Sequence, residues 1–339
     1  TTRLNNYMKT TLAIISILLA PLLIITAKQD SYEETLKVAN YLQEISVTIR
    51  SEGSYSKSEG SGVLITREIG DQVVTFVWTC GHVVDNLRNV RTVIDDGKSQ
   101  KLVEFDDVRI IKELVEDGRR VGEINMDATV IKYSDADDGE DLALLMVRAR
   151  DYGKASAKFD VSNKKKIIPI GTELFHVGSL LGQMGSNSMT SGIISQVGRI
   201  YGKVEFDQTT VTAFPGSSGG GVYLKDGTYI GMIVRGAGEG FNLMVPIRRM
   251  VRWAEKHDVM WALDAEIKAP SVDDILKLPI EATKKKTEDQ DGNKRKTVRQ
   301  KVFDNQFPHL IKTLEINDSQ VREVKTLELQ GEPLEIELR

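Results

Sequence analysis

Cysteine is nearly absent from the chain: Cys80 is the one thiol in 339 residues, so no internal disulfide can form and a thiolate-only zinc site is excluded. Histidine is scarce too. Four scattered positions and no His-Glu-x-x-His pair remove the helical zinc-hydrolase pattern, and no metal or other cofactor is expected. Nor is there an excess of positive charge. Forty-five basic against 49 acidic residues leave a formal charge of −4 and a pI near 5.8, which gives no footprint for nucleic acid. With 40% apolar and 28% charged residues, collagen-like, coiled-coil and wholly disordered chains are also excluded.

Long apolar runs are missing with one exception. Residues Thr10 to Ala27 carry no charge, and Leu12 to Ile25 is apolar apart from Ser16 and Pro21. Its length lies between the core of a signal peptide and a membrane span, so both readings stay open. Met8-Lys9 before the run and Ile25-Thr26-Ala27 at its end favour a cleaved signal; uncleaved, residues 10–27 would be the membrane contact. Either way the chain is expected outside the cytoplasm, periplasmic or secreted. A buried core helix is disfavoured by Pro21 and by the lack of a polar face.

Beyond this run, Ser31-Tyr32-Glu33-Glu34 has capping-box spacing and opens a short helix to about Gln43, with Leu36, Ala39 and Tyr41 or Leu42 to pack. From Ile45 to Val245 the signal changes to short β-branched and aromatic runs between Gly and Asp turns: VTIR, GVLIT, VVTFVW, VRTVID, DATVIKY, LALLMV, ELFHVG, GIISQVG, VTAF, GVYL, TYIGMIV and FNLMV. Strands at this spacing mean barrels or a sandwich. Asp226-Gly227 predicts a type I′ hairpin, Asp117-Gly118 a weaker one. Pro246 then opens a helix with Ile247, Met250, Val251 and Ala254 on one stripe, ending near His257-Asp258. After Ala269 the chain turns charged and poor in apolar residues, as in a solvated linker, before a small acidic tail.

Pro215-Gly216-Ser217-Ser218-Gly219-Gly220-Gly221 lies between the runs VTAF and GVYL. A flexible linker is the plain reading, yet linkers are not usually held between two strands. Glycines around a serine leave backbone amides free, so the N–H groups of Gly216 and Ser218 can converge beside the Ser218 hydroxyl as an oxyanion hole. A serine hydroxyl needs a base and a group to orient that base. His82 follows a buried strand into a Gly turn, whereas His176 sits within an apolar strand, His257 at a helix end and His309 in a polar tail. Asp141 immediately precedes LALLMV and is the best orienting carboxylate; Asp135, Asp137, Asp138 and Glu140 read as a solvated loop.

These residues carry a resemblance. GSGVLIT at 60–66, TCGHVV at 79–84, DLALLMV at 141–147, VGSLLGQMGSNSMTSGIISQVGR at 177–199, PGSSGGG at 215–221 and GFNLMVPI at 240–247 occur in the order found in chymotrypsin-fold serine peptidases of the HtrA/Deg type. The resemblance covers about residues 45 to 255. It implies an all-β fold of two six-stranded antiparallel barrels, here with an N-terminal apolar helix, a C-terminal helix and a small tail. The expected organisation is 1–27 leader or anchor, 28–44 covering helix, 45–160 first barrel, 161–245 second barrel, 246–264 helix and 265–339 linker and tail. It also implies a site in the cleft between the barrels, with His82 as base, Asp141 fixing its tautomer and Ser218 acylated.

The family pattern places the nucleophile before Gly-Gly, which selects Ser218 over Ser217. Counted from Ser218, the pocket base falls near Thr212, and Val234-Arg235-Gly236 would pair with substrate backbone. Without an acid at Thr212, a small or medium apolar side chain is preferred to Lys or Arg. Arg235 either narrows the cleft, meets an acidic substrate residue or points to solvent. No PDZ-type carboxylate-binding loop follows the peptidase region. The expected function is an exported serine endopeptidase acting on protein or peptide substrates, unfolded ones above all, in quality control or processing. A catalytically silent barrel pair that binds peptides or a partner at the membrane is the alternative, and a homo-oligomer stays open.

Overall fold

The computed structural model describes residues 33–281, apart from 54–55, 96–97, 117–118, 137–139, 163–166, 202–203 and 237–239, together with 325–329 and 332–336. The apolar run at 10–27, the capping box at Ser31, Asp117-Gly118 and His309 lie outside the described residues. No described helix is long and apolar enough to cross a membrane.

Helix α1 (33–44) leads into β1 (Ser46–Glu52). Its first turn is exposed, Leu36 included, and it packs through Val38, Tyr41 and the fully buried Leu42, with Ile45 buried just after it. Polar ties fix it: Lys112 Nζ donates to the Gln43 carbonyl, Gln43 Nε2 to Asn187 O, and the Tyr41 hydroxyl donates to Ser156 O while accepting from Lys158 N–H.

Six strands close the first barrel in the order β1, β2 (Lys57–Ile69), β3 (Gln72–Thr79), β8 (Leu142–Arg150), β7 (Arg119–Ser134) and β6 (Val108–Glu116). β1 returns to β6 through Thr48↔Ile111 and Ile49↔Ile110. Branched and aromatic residues such as Ile49, Val63, Ile65, Phe76, Trp78, Ile110 and Leu144 fill its core. VRTVID is not a barrel strand. It falls in β4 (Arg88–Asp95), which pairs only with β5 (Lys98–Phe105) as a two-stranded ribbon. The closed barrel has no edge left to accept it.

The second barrel runs β13 (Gly221–Tyr223), β10 (Glu173–Leu180), β11 (Gly185–Tyr201), β12 (Val204–Thr209), β15 (Asn242–Pro246) and β14 (Thr228–Gly236). The β13–β14 pairing closes it, and the short β9 (Lys158–Phe159) joins β14 in parallel. Leu174, Ile194, Val222, Ile230, Ile233 and Met244 form its own core. The two six-stranded units of the expected all-β fold are thus present. VTAF is a loop and not a strand: side chains take over its backbone groups, with Asn242 Nδ2 donating to Val211 O and Thr190 Oγ1 to Thr212 O. At Asp226-Gly227 the hairpin forms, but only Gly227 has positive φ (82°) and its N–H bonds Leu224 O. That is a type I turn with a left-handed glycine, not type I′.

Pro246 caps α3 (Ile247–Lys256), which ends at His257 as its spacing predicts. α3 and the segment beyond it pack on the first barrel through aromatic edges: Trp253 meets Trp78 at 5.6 Å, Trp261 meets Phe76 at 4.9 Å, and Trp78 Nε1 donates to Ala262 O. Such pairs contribute about 1 kcal/mol each beyond area burial. A short α4 (Val272–Leu276) follows. A separate compact unit from Gln290 onward contains the hairpin β16 (Lys325–Leu329) and β17 (Glu332–Ile336).

Candidate active site

Pairing of β3 with β8 brings Thr79 opposite Ala143, so the residues just beyond these ends meet. After β3, Cys80 caps the one-turn helix α2 (Gly81–Val84), which carries His82. Before β8 stands Asp141, 1% exposed and in the left-handed region at φ 50°. Its Oδ1 accepts from the His82 backbone N–H at 2.9 Å, and its Oδ2 lies 2.9 Å from His82 Nδ1. Gly81 permits this approach, since a Cβ there would fall 3.4 Å from Asp141 Oδ1 and 2.3 Å from Ser134 O. Burial alone would raise the Asp141 carboxyl pKa, but His82 and then Arg235 outweigh it, and the net shift is downward. An ionised carboxylate only accepts, so His82 Nδ1 carries the proton and Nε2 is left as the basic nitrogen.

The run 215–220 is fixed one peptide at a time. Pro215 O accepts from Leu181 N–H (2.8 Å), Gly216 O from the Ser61 hydroxyl (2.7 Å), Ser217 O from Gly220 N–H (2.9 Å) and Ser218 O from Ser61 N–H (2.8 Å). Among its amides, Ser217 donates to Phe214 O and Gly219 to Ile233 O. Those of Gly216 and Ser218 have no partner among the described residues. Because each peptide is trans, a carbonyl held on one side turns its N–H to the other. The residue types follow from this path: Gly216 has φ 95° and Gly219 φ 88°, and a Cβ at Gly216 would meet Ser179 O at 2.3 Å.

Ser218 is half-buried, and its hydroxyl donates weakly to Val234 O at 3.5 Å. Ser217 is 1% exposed and its Oγ accepts from Phe214 N–H, so it faces inward. The first barrel closes on this loop. A Cβ on Gly60 would fall 2.6 Å from the Val83 methyls and 3.1 Å from Ser218 O, and one on Gly219 would fall 3.2 Å from Cys80 N. The segment bearing His82 and the loop bearing Ser218 are therefore direct neighbours.

Residues 60–232, a little over half of the chain, match the family model described as trypsin-like peptidase domain. The chain belongs to this family. A curated relative, the Do-like HtrA serine protease of Lactococcus lactis subsp. cremoris (strain MG1363), is 28% identical over 191 residues, covering 54% of this chain and 38% of that protein. The chain thus spans well under half of that relative's length. Among solved structures, a serine endoprotease from Yersinia pestis aligns with TM-score 0.45 and 19% identity over 66% of this chain and 65% of its own. An HtrA-type protease with a tripeptide gives TM-score 0.47 and 18% identity over 66% and 63%.

Within this trypsin-like domain the remaining candidates are placed as follows. Thr212 is exposed on the loop before Ser218. Val234, Arg235 and Gly236 lie at the end of β14, past its last β13 pair at Met232; Arg235 and Gly236 pair with β15, and Val234 falls at the irregularity between Ile233 and Arg235. Arg235 does not point to solvent: its Nη2 is 3.8 Å from Asp141 Oδ2. The other described histidines are sequestered. His176 is fully buried with Nδ1 donating to Gly221 O, and burial pulls its pKa down to about 4; His257 stacks on Trp253 and is likewise pulled to about 4 by burial. Burial raises the Cys80 thiol pKa well above its usual value, so the thiolate is disfavoured.

Sequence reasoning missed three supports. Ser61 holds the loop 215–220. Arg249 of α3 donates to the carbonyl of Glu140, one residue before Asp141, while its own Nη1 contacts Glu205 O. Arg248 binds Glu205 and Asp207 of β12. The hydroxyl of Ser61 lies inside the motif GSGVLIT, but nothing in that motif names its partners.

Proposed function

We propose that this chain is a serine endopeptidase in which Ser218 is the nucleophile, His82 the base and Asp141 the group that orients it. The observation that carries this reading is the pair of amides at Gly216 and Ser218 without partners among the described residues, on a loop packed against the segment that bears His82, whose Nδ1 is already bound to a buried carboxylate. The reading requires the Ser218 hydroxyl to leave Val234 O and meet His82 Nε2. His82 then takes the hydroxyl proton as Oγ attacks the peptide carbonyl, and the two amides receive the developing oxyanion. The imidazolium returns the proton to the leaving amine. Water deacylates the ester by the same route in reverse.

Supports for the substrate class are of two kinds. The end of β14 offers an open edge for an extended chain to pair with, through Val234, Arg235 and Gly236. Beside the oxyanion turn, Leu181, Met184 and Phe214 are exposed apolar side chains, which favours extended, apolar stretches such as those of unfolded proteins. Thr212 offers no charge for Lys or Arg. On the uncharged run Thr10–Ala27 we place the protein outside the cytoplasm, exported or anchored by that segment.

The test is covalent labelling by a fluorophosphonate at pH 8. Labelling is expected in the unaltered chain and lost in Ser218→Ala. A folded sample that does not react would favour the silent, peptide-binding barrel pair, which the present contact of the Ser218 hydroxyl with Val234 O also fits.

A further inference from the structure

We propose that Ser61 is a positioning residue for the oxyanion hole, acting from the first barrel on both residues whose amides form it; this rests on the peptidase reading above. Ser61 is fully buried in β2, opposite Thr48. Every polar group it has is used at this junction. Its N–H donates to Ser218 O (2.8 Å), its hydroxyl donates to Gly216 O (2.7 Å) and accepts from Ser179 N–H (2.7 Å), and its carbonyl accepts from Thr79 Oγ1 (2.8 Å). The direction of the hydroxyl is unambiguous. Ser179 N–H can only donate, so the single proton of Ser61 Oγ is left for Gly216 O.

What this does for the site follows from peptide planarity. The carbonyls of Gly216 and Ser218 bracket the peptide between residues 217 and 218, whose N–H is one of the two free amides. Gly216 lacks a Cβ and has access to both signs of φ, so the 216–217 peptide has little intrinsic resistance to turning over. Two contacts hold it, the Ser217 N–H on Phe214 O within the second barrel and the Ser61 hydroxyl on Gly216 O from the first. Ser179, which completes the relay, is tied to Thr48 Oγ1 at 2.5 Å. Glycine also makes the close approach possible from the other side, since a Cβ on Gly219 would fall 2.1 Å from Ser61 O. Removing the hydroxyl strands the Gly216 carbonyl and the Ser179 N–H, and a rotated 216–217 peptide would carry the Ser218 amide out of aim.

The experiment compares Ser61→Ala and Ser61→Cys with the unaltered chain by three readouts. These are the rate of fluorophosphonate labelling, competition by a peptide boronic acid, and binding of unfolded casein in a Ser218→Ala background. Ser61→Ala is expected to slow labelling by about ten- to a hundredfold, in keeping with loss of aim at one donor. Boronate affinity should fall by a similar factor, while casein binding stays within about twofold. Ser61→Cys keeps the volume, weakens the bond and should lie between; should the alanine variant not fold, the cysteine variant decides. Labelling within about twofold of the unaltered rate overturns the proposal, as does casein binding that falls as far as labelling. Those outcomes leave the peptidase reading standing. No labelling of the unaltered chain removes both.

Discussion

His82 and Asp141 are joined at backbone and ring: Asp141 Oδ1 takes the His82 backbone amide at 2.9 Å, and the ring Nδ1 lies 2.9 Å from Oδ2 and 3.0 Å from Oδ1. The backbone contact fixes where the imidazole starts and the ring contact fixes how it is turned. Asp141→Asn should keep the first and spoil the second, because an amide can present an N–H to Nδ1 and impose the wrong tautomer. The expected result is an unchanged melting temperature within a few degrees and a fall in casein cleavage of about 10⁴. Normal turnover in this variant would mean that another group orients His82.

Ser217→Ala separates the two adjacent serines. The Ser217 hydroxyl is buried and accepts from Phe214 N–H, so its loss should cost about 1 kcal/mol of stability. Fluorophosphonate labelling should persist. Loss of labelling in a folded Ser217→Ala sample would contradict the choice of Ser218.

Stability should depend on pH through His176, with the similarly lowered His257 adding to the same slope. Its pKa is about 4 in the fold against 6.5 as an ordinary histidine, so between these values the unfolded chain binds more protons. Stability from this group is complete above about pH 6.5, declines as the solution is acidified and is exhausted near pH 4, a total of about 3 kcal/mol. The melting temperature should therefore fall from pH 7 to pH 4.5. His176→Asn keeps a donor for Gly221 O and should flatten that slope whatever it does to absolute stability; an unchanged slope would assign the effect elsewhere.

Arg248 is 5% exposed and holds Asp207, 1% exposed, with two nitrogens at 2.7 and 2.6 Å. Arg248→Met leaves that carboxylate buried without its cation, at a cost of about 3–5 kcal/mol. Urea unfolding of the variant should show the loss, and the double variant with Asp207→Asn should recover part of it.

The start of α3 was legible because Pro246 has a fixed φ and no N–H to waste, which is a property of one residue. The His82, Asp141 and Ser218 segments were legible for a similar reason, each being a short local pattern. The ribbon of β4 and β5 was not: alternation marks a strand but says nothing about its neighbour, and VRTVID alternates equally well in a barrel. Asp226-Gly227 announced a hairpin without its turn class, which depends on the φ of Asp226. Ser61 was silent for a different reason. Its hydroxyl partners are 118 and 155 positions away, so its importance exists only after the two barrels have met.

That last fact bears on how the chain comes to be active. Since the nucleophile's own barrel supplies only part of the groups that aim its loop, and neither His82 nor Asp141, a polypeptide severed between Asp151 and Ala157 should give two halves, each inert. Mixing them should restore reactivity only to the extent that they reassociate, and during synthesis no reactive serine should exist until both halves have left the ribosome and docked.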